Sequence, residues 1–286
     1  MQIHVIHENA AWLEPLALRC GAVDEVLTTR ELETPQWSEP EVAANLHGRG
    51  PESHRCLLST RPRRLIAFSH PDVPVTSGMP RWRQDEHEVN RWCRLLQEHG
   101  ITTDPSDLLL NPDQVPAARL TQGLPYNLTL LHPGAGQAAR RWPAERWGAV
   151  ARAELERGRS VAVTAGPGED RLAAGVRAAA GDARVLVLRP AHVLELADVV
   201  RTAERVVCSD TGVAHLATAL CIPSVVLFGP TPPAWWGPPA SHPHVALWEG
   251  AFGDPRGCSP DPGLLRIRPR DVVAALERLD QHLAVG

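Results

Sequence analysis

The chain has 286 residues, enough for one large domain or two of ordinary size. Its net charge of −4 is too small to indicate a nucleic-acid surface, and all 29 of its basic residues are arginine. It shows no signal-peptide pattern, no apolar run approaching the ~18 residues of a membrane span, and no C-x-x-C pair among its six cysteines. We therefore expect a reduced, cytoplasmic protein without a transmembrane segment.

The first part of the chain has an irregular pattern. Short apolar runs predict strands at 3–6, 25–27, 42–46 and 65–68. An amphipathic helix is predicted from Asp85 to about His99. Residues 104–125 carry four prolines and little periodicity, which is typical of a linker. We therefore predict one domain at residues 1–121 and a second at residues 122–286.

The second part alternates regularly. Apolar runs predict strands at 128–132, 160–164, 184–188, 206–208 and 224–228. Helical patterns lie between them at 143–157, 169–180, 192–203 and 211–220, and a last amphipathic helix covers 271–283. This alternation indicates an α/β fold with a parallel sheet covered on both faces.

A loop rich in small residues follows the strand at 128–132. It reads HPGAGQAARRWP, and Gly134, Ala135 and Gly136 would let a ligand approach backbone N–H groups. The next helix begins directly after it and would add positive charge, while Arg140 or Arg141 could supply a forked guanidinium to a phosphate. The alternative is a tight turn with solvated arginines.

A second such loop follows the strand at 206–208, in the stretch CSDTGVAHLATALCIPSVVLFGP. Its alternative interpretation is that Ser209 or Asp210 only caps the helix expected to start at Thr211. Capping leaves Gly212 unexplained, because glycine in a helix costs up to about 1 kcal/mol relative to alanine. His215 falls on the same side of that helix as Thr211. Because two anion-binding loops would end parallel strands of one sheet, we expect a phosphate-bearing ligand there.

Several other chemistries lack their motifs in this sequence. Neither loop is a G-x-x-x-x-G-K-[ST] P-loop or a G-x-G-x-x-G fingerprint, and no G-x-S-x-G elbow is present. No cluster of histidine, aspartate and glutamate has metal-ligand spacing. ATP hydrolysis, nicotinamide chemistry and serine hydrolysis are therefore disfavoured.

The segments HPGAGQAARRWPAERW and CSDTGVAHLATALCIPSVVLFGPTPPAWWGPP strongly resemble glycosyltransferase family 9, the ADP-heptose:lipopolysaccharide heptosyltransferases, and in particular its actinobacterial members. The likeness also reaches Asn45–His54 and Trp82–Ile101. It implies a GT-B fold, in which two Rossmann-like domains face a cleft. It further implies inverting, metal-independent transfer of a sugar, heptose or other, from an ADP- or GDP-linked donor to a hydroxyl of a glycan, lipid or natural product. No other cofactor and no nucleic acid is implied, and peripheral membrane contact is compatible with it.

The resemblance also implies roles at the diphosphate end of the donor. Gly134, Ala135 and Thr211 would touch the diphosphate, and Gly212 would give it room. Arg140 stands where the family usually has lysine. Backbone N–H groups, a helix dipole and this arginine would stabilise the departing nucleoside diphosphate.

At the other parts of the donor, the resemblance places Glu169 on the ribose hydroxyls and His192 beside the base. Asp210 would hydrogen-bond the donor sugar. His215 is either a contact on the sugar side or a histidine that serves only its helix.

The amino-terminal part departs from the family pattern. Members usually open with a strand and a Gly-Asp loop that carries the proposed catalytic base, and no Gly-Asp precedes the segment that resembles their second strand. We therefore expect an incomplete amino-terminal domain that lacks a first βα unit. Either the chain is short, or it is a divergent member with its base elsewhere. Candidate bases are Glu8, His7 and His47, with His47 and Arg49 favoured as acceptor-side contacts.

Two other functions stay open. One is a nucleotide-sugar-binding homologue with weak or no catalysis. The other is a GT-B-type sugar-nucleotide epimerase, which the family motifs disfavour.

Overall fold

The computed structural model describes residues 4–7, 10–30, 32–35, 37–240, 243–250 and 252–283. The chain divides into two compact units, Met1–Asp107 and Leu108–Gly286. This division lies ahead of the predicted boundary between residues 121 and 122.

The segment predicted as a linker packs in part on the second unit, which explains the earlier division. The backbone N–H of Leu110 donates to the Ala219 carbonyl. The carboxylate of Asp198, which is fully buried, accepts from the Ala118 N–H at 2.7 Å and from the Thr121 hydroxyl at 2.5 Å. The first bond holds residue 110 on the helix that ends at Ala219, and the other two hold residues 118–121 on the helix that carries Asp198.

The first unit contains four strands and three helices in its described part. The strands are β1 (His4–His7), β2 (Glu25–Thr28), β3 (Val42–Ala44) and β4 (Arg64–Ile66). The helices are α1 (Ala10–Arg19), α2 (Glu52–Ser59) and α3 (Glu88–Glu98). Strand β1 pairs in parallel with β2, and β3 pairs in parallel with β4, as two separate two-stranded sheets.

The predicted amphipathic helix is the clearest element of the first unit. Helix α3 buries Leu95 against Ile66 and Phe68 at the end of β4, and Trp82 and Trp92 pack on the same cluster. Burial of these large side chains stabilises the contact, since burying one such side chain contributes on the order of 1.5–3 kcal/mol.

The second unit is a six-stranded parallel sheet with its helices. Its strands are β5 (Leu128–His132), β6 (Ser160–Thr164), β7 (Leu186–Leu188), β8 (Arg205–Ser209), β9 (Ser224–Phe228) and β10 (His244–Trp248). Its helices are α4 (Ala144–Glu156), α5 (Asp170–Ala180), α6 (Val193–Thr202), α7 (Gly212–Ala219), α8 (Pro233–Trp236), α9 (Pro262–Arg266) and α10 (Pro269–Leu283). The α/β prediction is confirmed.

The interior of this unit follows from its apolar runs. Strands β8 and β9 are buried at every residue, as expected of central strands covered on both faces. Helix α4 packs closely on α5, where a Cβ at Gly148 would lie 2.6 Å from the Ala179 Cβ. Glycine at this position therefore permits the close approach of the two helices.

The strand order creates a switch point in the sheet. The order is β10-β9-β8-β5-β6-β7, so the chain runs outward from β5 through β6 and β7 and then returns to β8 on the other side of β5. Crossovers of one hand place the following helices on opposite faces at such a point. A crevice therefore opens between the carboxyl ends of β5 and β8, the usual ligand position in open α/β sheets.

Candidate functional site

The two loops predicted to bind an anion meet at this switch point. The Arg140 Nη1 donates to the backbone carbonyl of Asp210 at 3.1 Å and lies 3.9 Å from its Oδ2 atom. A 3-10 helix at Ala138–Arg140 shapes the first loop, and Ala139 bonds through its N–H to Gly257 and through its carbonyl to Asp261. The loop after β5 is thus anchored with its arginine over the end of β8.

The Asp210 carboxyl lies almost wholly out of solvent, with 5% of the residue exposed. Its Oδ2 accepts a hydrogen bond from the Thr231 hydroxyl at 3.1 Å. Burial raises the pKa of this carboxyl, while the Arg140 guanidinium, the Thr231 hydroxyl and His215 act in the opposite direction. A buried carboxylate with few partners is suited to accept hydrogen bonds from a ligand hydroxyl.

Arg140 keeps an unused donor at the switch point. Its Nε is buried and has no hydrogen-bond partner among the described residues. Because a buried donor without an acceptor is costly, this N–H group is placed to donate a hydrogen bond to an anionic ligand.

The alternative interpretation, in which Ser209 or Asp210 caps the helix, is wrong. Helix α7 begins at Gly212, its N-cap is Thr211, and no side chain caps it. Ser209 is instead the last residue of β8, and its buried Oγ has no hydrogen-bond partner in the described part of the chain. The first turn of α7 therefore presents N–H groups that no side-chain cap satisfies, a favourable position for an anion.

The space beside Gly212 is open. A Cβ at this position would meet no heavy atom within 4 Å. The glycine therefore leaves room at the start of α7 rather than relieving a clash within the protein, which agrees with the approach of a ligand.

Gly134 has a different reason to be glycine. A Cβ there would lie 2.3 Å from both carboxylate oxygens of Glu169. Glu169 also accepts from the Gly166 N–H at 2.9 Å, so its carboxylate is held across the ends of β5 and β6. The small residue in the first loop makes room for Glu169, a contact that the sequence did not indicate.

His132, at the end of β5, was not singled out in the sequence. Its Nδ1 lies 2.8 Å from the Thr164 hydroxyl. Burial lowers its pKa to about 4, against the opposite effect of the Glu169 carboxylate. The imidazole is therefore neutral near pH 7 and supports the loop as a hydrogen-bonding group.

A pocket of about 220 Å³ opens beyond the ends of β6 and β7. It is lined by Ala165, Gly166, Pro167, Asp170, Arg189, Pro190 and Ala191. The Arg189 Nε donates to the Asp170 carboxylate at 2.6 Å. His192 follows this pocket as the N-cap of α6, where its Nδ1 accepts from the Glu195 N–H at 3.3 Å.

The remaining predicted donor-site residues also lie near the switch point. Ala135 is buried, and its carbonyl accepts from the Arg141 Nε at 2.9 Å. Gly136 follows it, where an added Cβ would make only an ordinary contact with the Arg140 Nη2 at 3.8 Å. His215 lies one turn into α7, and its ring centre is 6.3 Å from that of Trp236.

The predicted acceptor-side residues lie in the first unit, in the exposed loop after β3. His47 and Arg49 are both exposed, and the His47 N–H donates to the Asn45 Oδ1 at 3.0 Å. The Asn45 Nδ2 in turn lies 2.9 Å from the Ser53 Oγ and 2.6 Å from the His54 Nδ1. This buried network fixes the start of the loop. Glu8 lies outside the described residues.

The described residues offer neither a metal site nor a membrane span. No group of three or more histidine, cysteine, aspartate or glutamate side chains is arranged to hold a metal ion. No helix is both long and apolar enough to cross a membrane.

The sequence is similar to that of known glycosyltransferases. The model of glycosyltransferase family 9 (heptosyltransferase) matches residues 79–255. Lipopolysaccharide heptosyltransferase 1 of Pseudomonas aeruginosa is 38% identical over 155 residues, which cover 53% of this chain and 42% of that protein. The chain spans about half the length of the curated relatives it matches.

Two solved structures resemble the whole fold. A family 9 glycosyltransferase from Veillonella parvula superposes with a TM-score of 0.72 at 17% identity, covering 97% of this chain and 88% of the other. An Escherichia coli heptosyltransferase solved with ADP gives a TM-score of 0.66 at 18% identity, covering 96% and 89%. These likenesses confirm the expected GT-B fold class.

Proposed function

Because the chain belongs to glycosyltransferase family 9, the heptosyltransferases, we propose that it transfers a sugar from a nucleoside diphosphate donor to an acceptor hydroxyl. The observation that carries this proposal is the meeting of two anion-adapted loops at the switch point, through Arg140 and Asp210. The donor is ADP- or GDP-linked, and ADP-heptose is the first candidate because relatives are named for heptosyl transfer.

The donor lies across the carboxyl ends of the strands. Its diphosphate occupies the crevice between β5 and β8, where the Arg140 guanidinium and the first N–H groups of α7 face it. Its ribose reaches Glu169, and its base enters the pocket beyond β6 and β7, beside His192. Asp210 accepts hydrogen bonds from the sugar.

The reaction is a single displacement with inversion. The acceptor oxygen forms a bond to the anomeric carbon, and the bond from that carbon to the terminal phosphate oxygen breaks. The electron pair leaves with the nucleoside diphosphate, whose added charge is stabilised by Arg140 and the α7 N-terminus without a metal ion. The acceptor proton passes to a base, for which His47 and Glu8 are the candidates from the sequence.

The acceptor is a hydroxyl of a glycan, a lipid or a natural product. The relatives are named for lipopolysaccharide, but the chain spans only part of their length. The acceptor is therefore best identified by activity on a panel that includes each of these classes.

A binding and turnover experiment tests the proposal. ADP, GDP, ADP-heptose and GDP-mannose are titrated into the protein by calorimetry, and release of nucleoside diphosphate is followed with the acceptor panel. We expect Arg140→Ala to weaken binding of the nucleotides about tenfold or more, because a charged hydrogen bond contributes about 1.5–3 kcal/mol. Arg184→Ala is the matched control, since this exposed arginine pairs with Asp182 and precedes β7, at the end of the strand opposite the proposed base pocket.

The outcomes separate the two main readings. Binding without acceptor-dependent release would favour a nucleotide-sugar-binding homologue. Binding of none of the nucleotides, or equal effects of the two arginine variants, would overturn the proposed donor site.

A further inference from the structure

Two adjacent tryptophans follow β9, and they have different surroundings. The Trp235 ring packs on Phe252 at a centroid distance of 5.0 Å, and Phe252 lies 6.4 Å from Trp248. The Trp248 Nε1 donates to the Gly229 carbonyl at 3.0 Å, which anchors this group. Trp235 therefore belongs to an aromatic cluster that covers the end of the sheet.

Trp236 points elsewhere. Its ring centre lies 6.3 Å from that of His215, with the planes tilted by 53°, and 38% of the residue is exposed. Such exposure of a large indole is notable, because an apolar face of this size gains from being covered.

A chain of contacts leads from Trp236 to Asp210. His215 is close enough to the Asp210 carboxyl to lower its pKa by charge. Thr231, which donates to that carboxyl, starts the segment that leads into α8. At the other end of α8, the Gly237 N–H donates to the Pro233 carbonyl at 2.6 Å, with no room there for a Cβ. The position of the indole relative to Asp210 is therefore set at both ends of α8.

The sheet order indicates which part of a ligand reaches this place. The pocket beyond β6 and β7 lies on one side of the switch point, and α8 follows β9 on the other side. A donor whose diphosphate occupies the switch point and whose base enters the pocket directs its sugar toward β8 and β9. That end of the donor meets Asp210, His215 and Trp236 in turn.

We propose that Trp236, backed by His215, forms the wall of a sugar subsite beside Asp210. The proposal rests on the proposed function and deepens it. A pyranose is amphipathic, with hydroxyls at its edge and C–H groups on its face. The indole covers the C–H face, while Asp210 accepts hydrogen bonds from hydroxyls at the edge.

The experiment compares each nucleotide sugar with the nucleoside diphosphate of the same base. Calorimetry gives the affinities of ADP, ADP-heptose, GDP and GDP-mannose for wild type, Trp236→Ala, Trp236→Tyr and Trp235→Ala. We expect Trp236→Ala to weaken the better-bound nucleotide sugar by about fivefold to tenfold, the effect of roughly 1–1.4 kcal/mol of lost aromatic contact. Affinity for its nucleoside diphosphate should change less than twofold.

The other variants separate stacking from folding. Trp236→Tyr retains an aromatic face and should recover most of the lost preference for the sugar. Trp235→Ala removes the same side chain from the covering cluster, so it should leave the ratio of the two affinities unchanged.

The possible results identify which proposal fails. A Trp236→Ala protein that binds sugar nucleotide and nucleoside diphosphate with the wild-type ratio would overturn the sugar subsite alone. Equal shifts of that ratio in the two alanine variants would also overturn it. A wild-type protein that binds none of the four compounds would overturn the donor site itself, and the subsite with it.

Discussion

Replacing Gly134 with alanine places a methyl group against the Glu169 carboxylate. The added Cβ would lie 2.3 Å from both carboxylate oxygens, far inside contact distance. The Glu169 carboxylate is at the end of a flexible side chain, so it can move away from the methyl group. It then loses the hydrogen bond from the Gly166 N–H at 2.9 Å. A hydrogen bond to a charged group contributes about 1.5–3 kcal/mol, and the lower unfolded-state entropy of alanine returns about 0.4–1 kcal/mol. We expect a net destabilisation of about 1–2 kcal/mol.

Gly136→Ala is the matched control for this prediction. Its added Cβ would touch only the Arg140 Nη2, at 3.8 Å, so the same substitution two residues along the loop should be neutral or slightly stabilising. Thermal unfolding of both variants measures the difference, expected at about 4 °C for a chain of this size.

A double-mutant cycle tests the cause. In a Glu169→Ala background the clash is gone, so Gly134→Ala should lose most of its cost. An equal cost with and without Glu169 would refute the explanation of Gly134 as space for this carboxylate.

Three further changes test other parts of the account. Thr231→Val removes the hydroxyl that lowers the Asp210 pKa, so nucleotide-sugar affinity should fall. When binding is titrated across pH 4–8, the affinity of this variant should begin to decline at a higher pH than that of the wild type. An unchanged decline at acid pH would count against an ionised Asp210 in binding. In the folded protein His132 has a pKa of about 4, whereas in the unfolded chain its pKa is near 6.5. The unfolded chain therefore takes up a proton first as the pH falls, so the stability that the neutral ring contributes is present above pH 6.5. The free energy of unfolding should fall by about 2 kcal/mol between pH 7 and pH 5. His132→Gln should lack this part of the slope in urea unfolding, and identical slopes would contradict the burial of a neutral imidazole. Asn45→Ala strips the buried His54 ring of its Nδ1 partner, and chemical unfolding should show a loss of about 2–3 kcal/mol; a loss under about 0.5 kcal/mol would show that the network does not hold this loop.

The alternation of the second unit was readable because its strands are continuous apolar runs broken by glycine and proline. Strands β6 and β9 begin and end where predicted. Strand β10 was missed because it is a half-buried edge strand after a proline-rich loop, so its residues do not form a uniformly buried run. Helix α2 was missed because its sequence, ESHRCLLS, is polar at the start and too short to show a helical period.

The position of the candidate site could be predicted, but not its internal contacts. Loops that follow strands of a parallel sheet lie at one edge by topology, so the meeting of Arg140 and Asp210 follows from chain order alone. The partner of Gly134 is Glu169, 35 residues later in the chain, and no local pattern encodes such a contact. Similarly, the sequence WW does not reveal that Trp235 joins Phe252 while Trp236 faces His215.

The division after Asp107 lies ahead of the boundary predicted from the sequence for a related reason. Prolines and weak periodicity at residues 104–125 are typical of a linker, and they hide a segment held by specific bonds. Asp198, on helix α6, accepts hydrogen bonds from this segment. The sequence signal for this contact was an aspartate on an otherwise apolar helix face.

A crystal structure of the protein with ADP or GDP tests the central claim most directly. We predict that the diphosphate lies in the crevice between β5 and β8, with its oxygens about 3 Å from the Arg140 guanidinium and from the first backbone N–H groups of α7. The base should lie in the pocket beyond β6 and β7. A nucleotide bound elsewhere on the chain, or a diphosphate that touches neither Arg140 nor α7, would contradict the account.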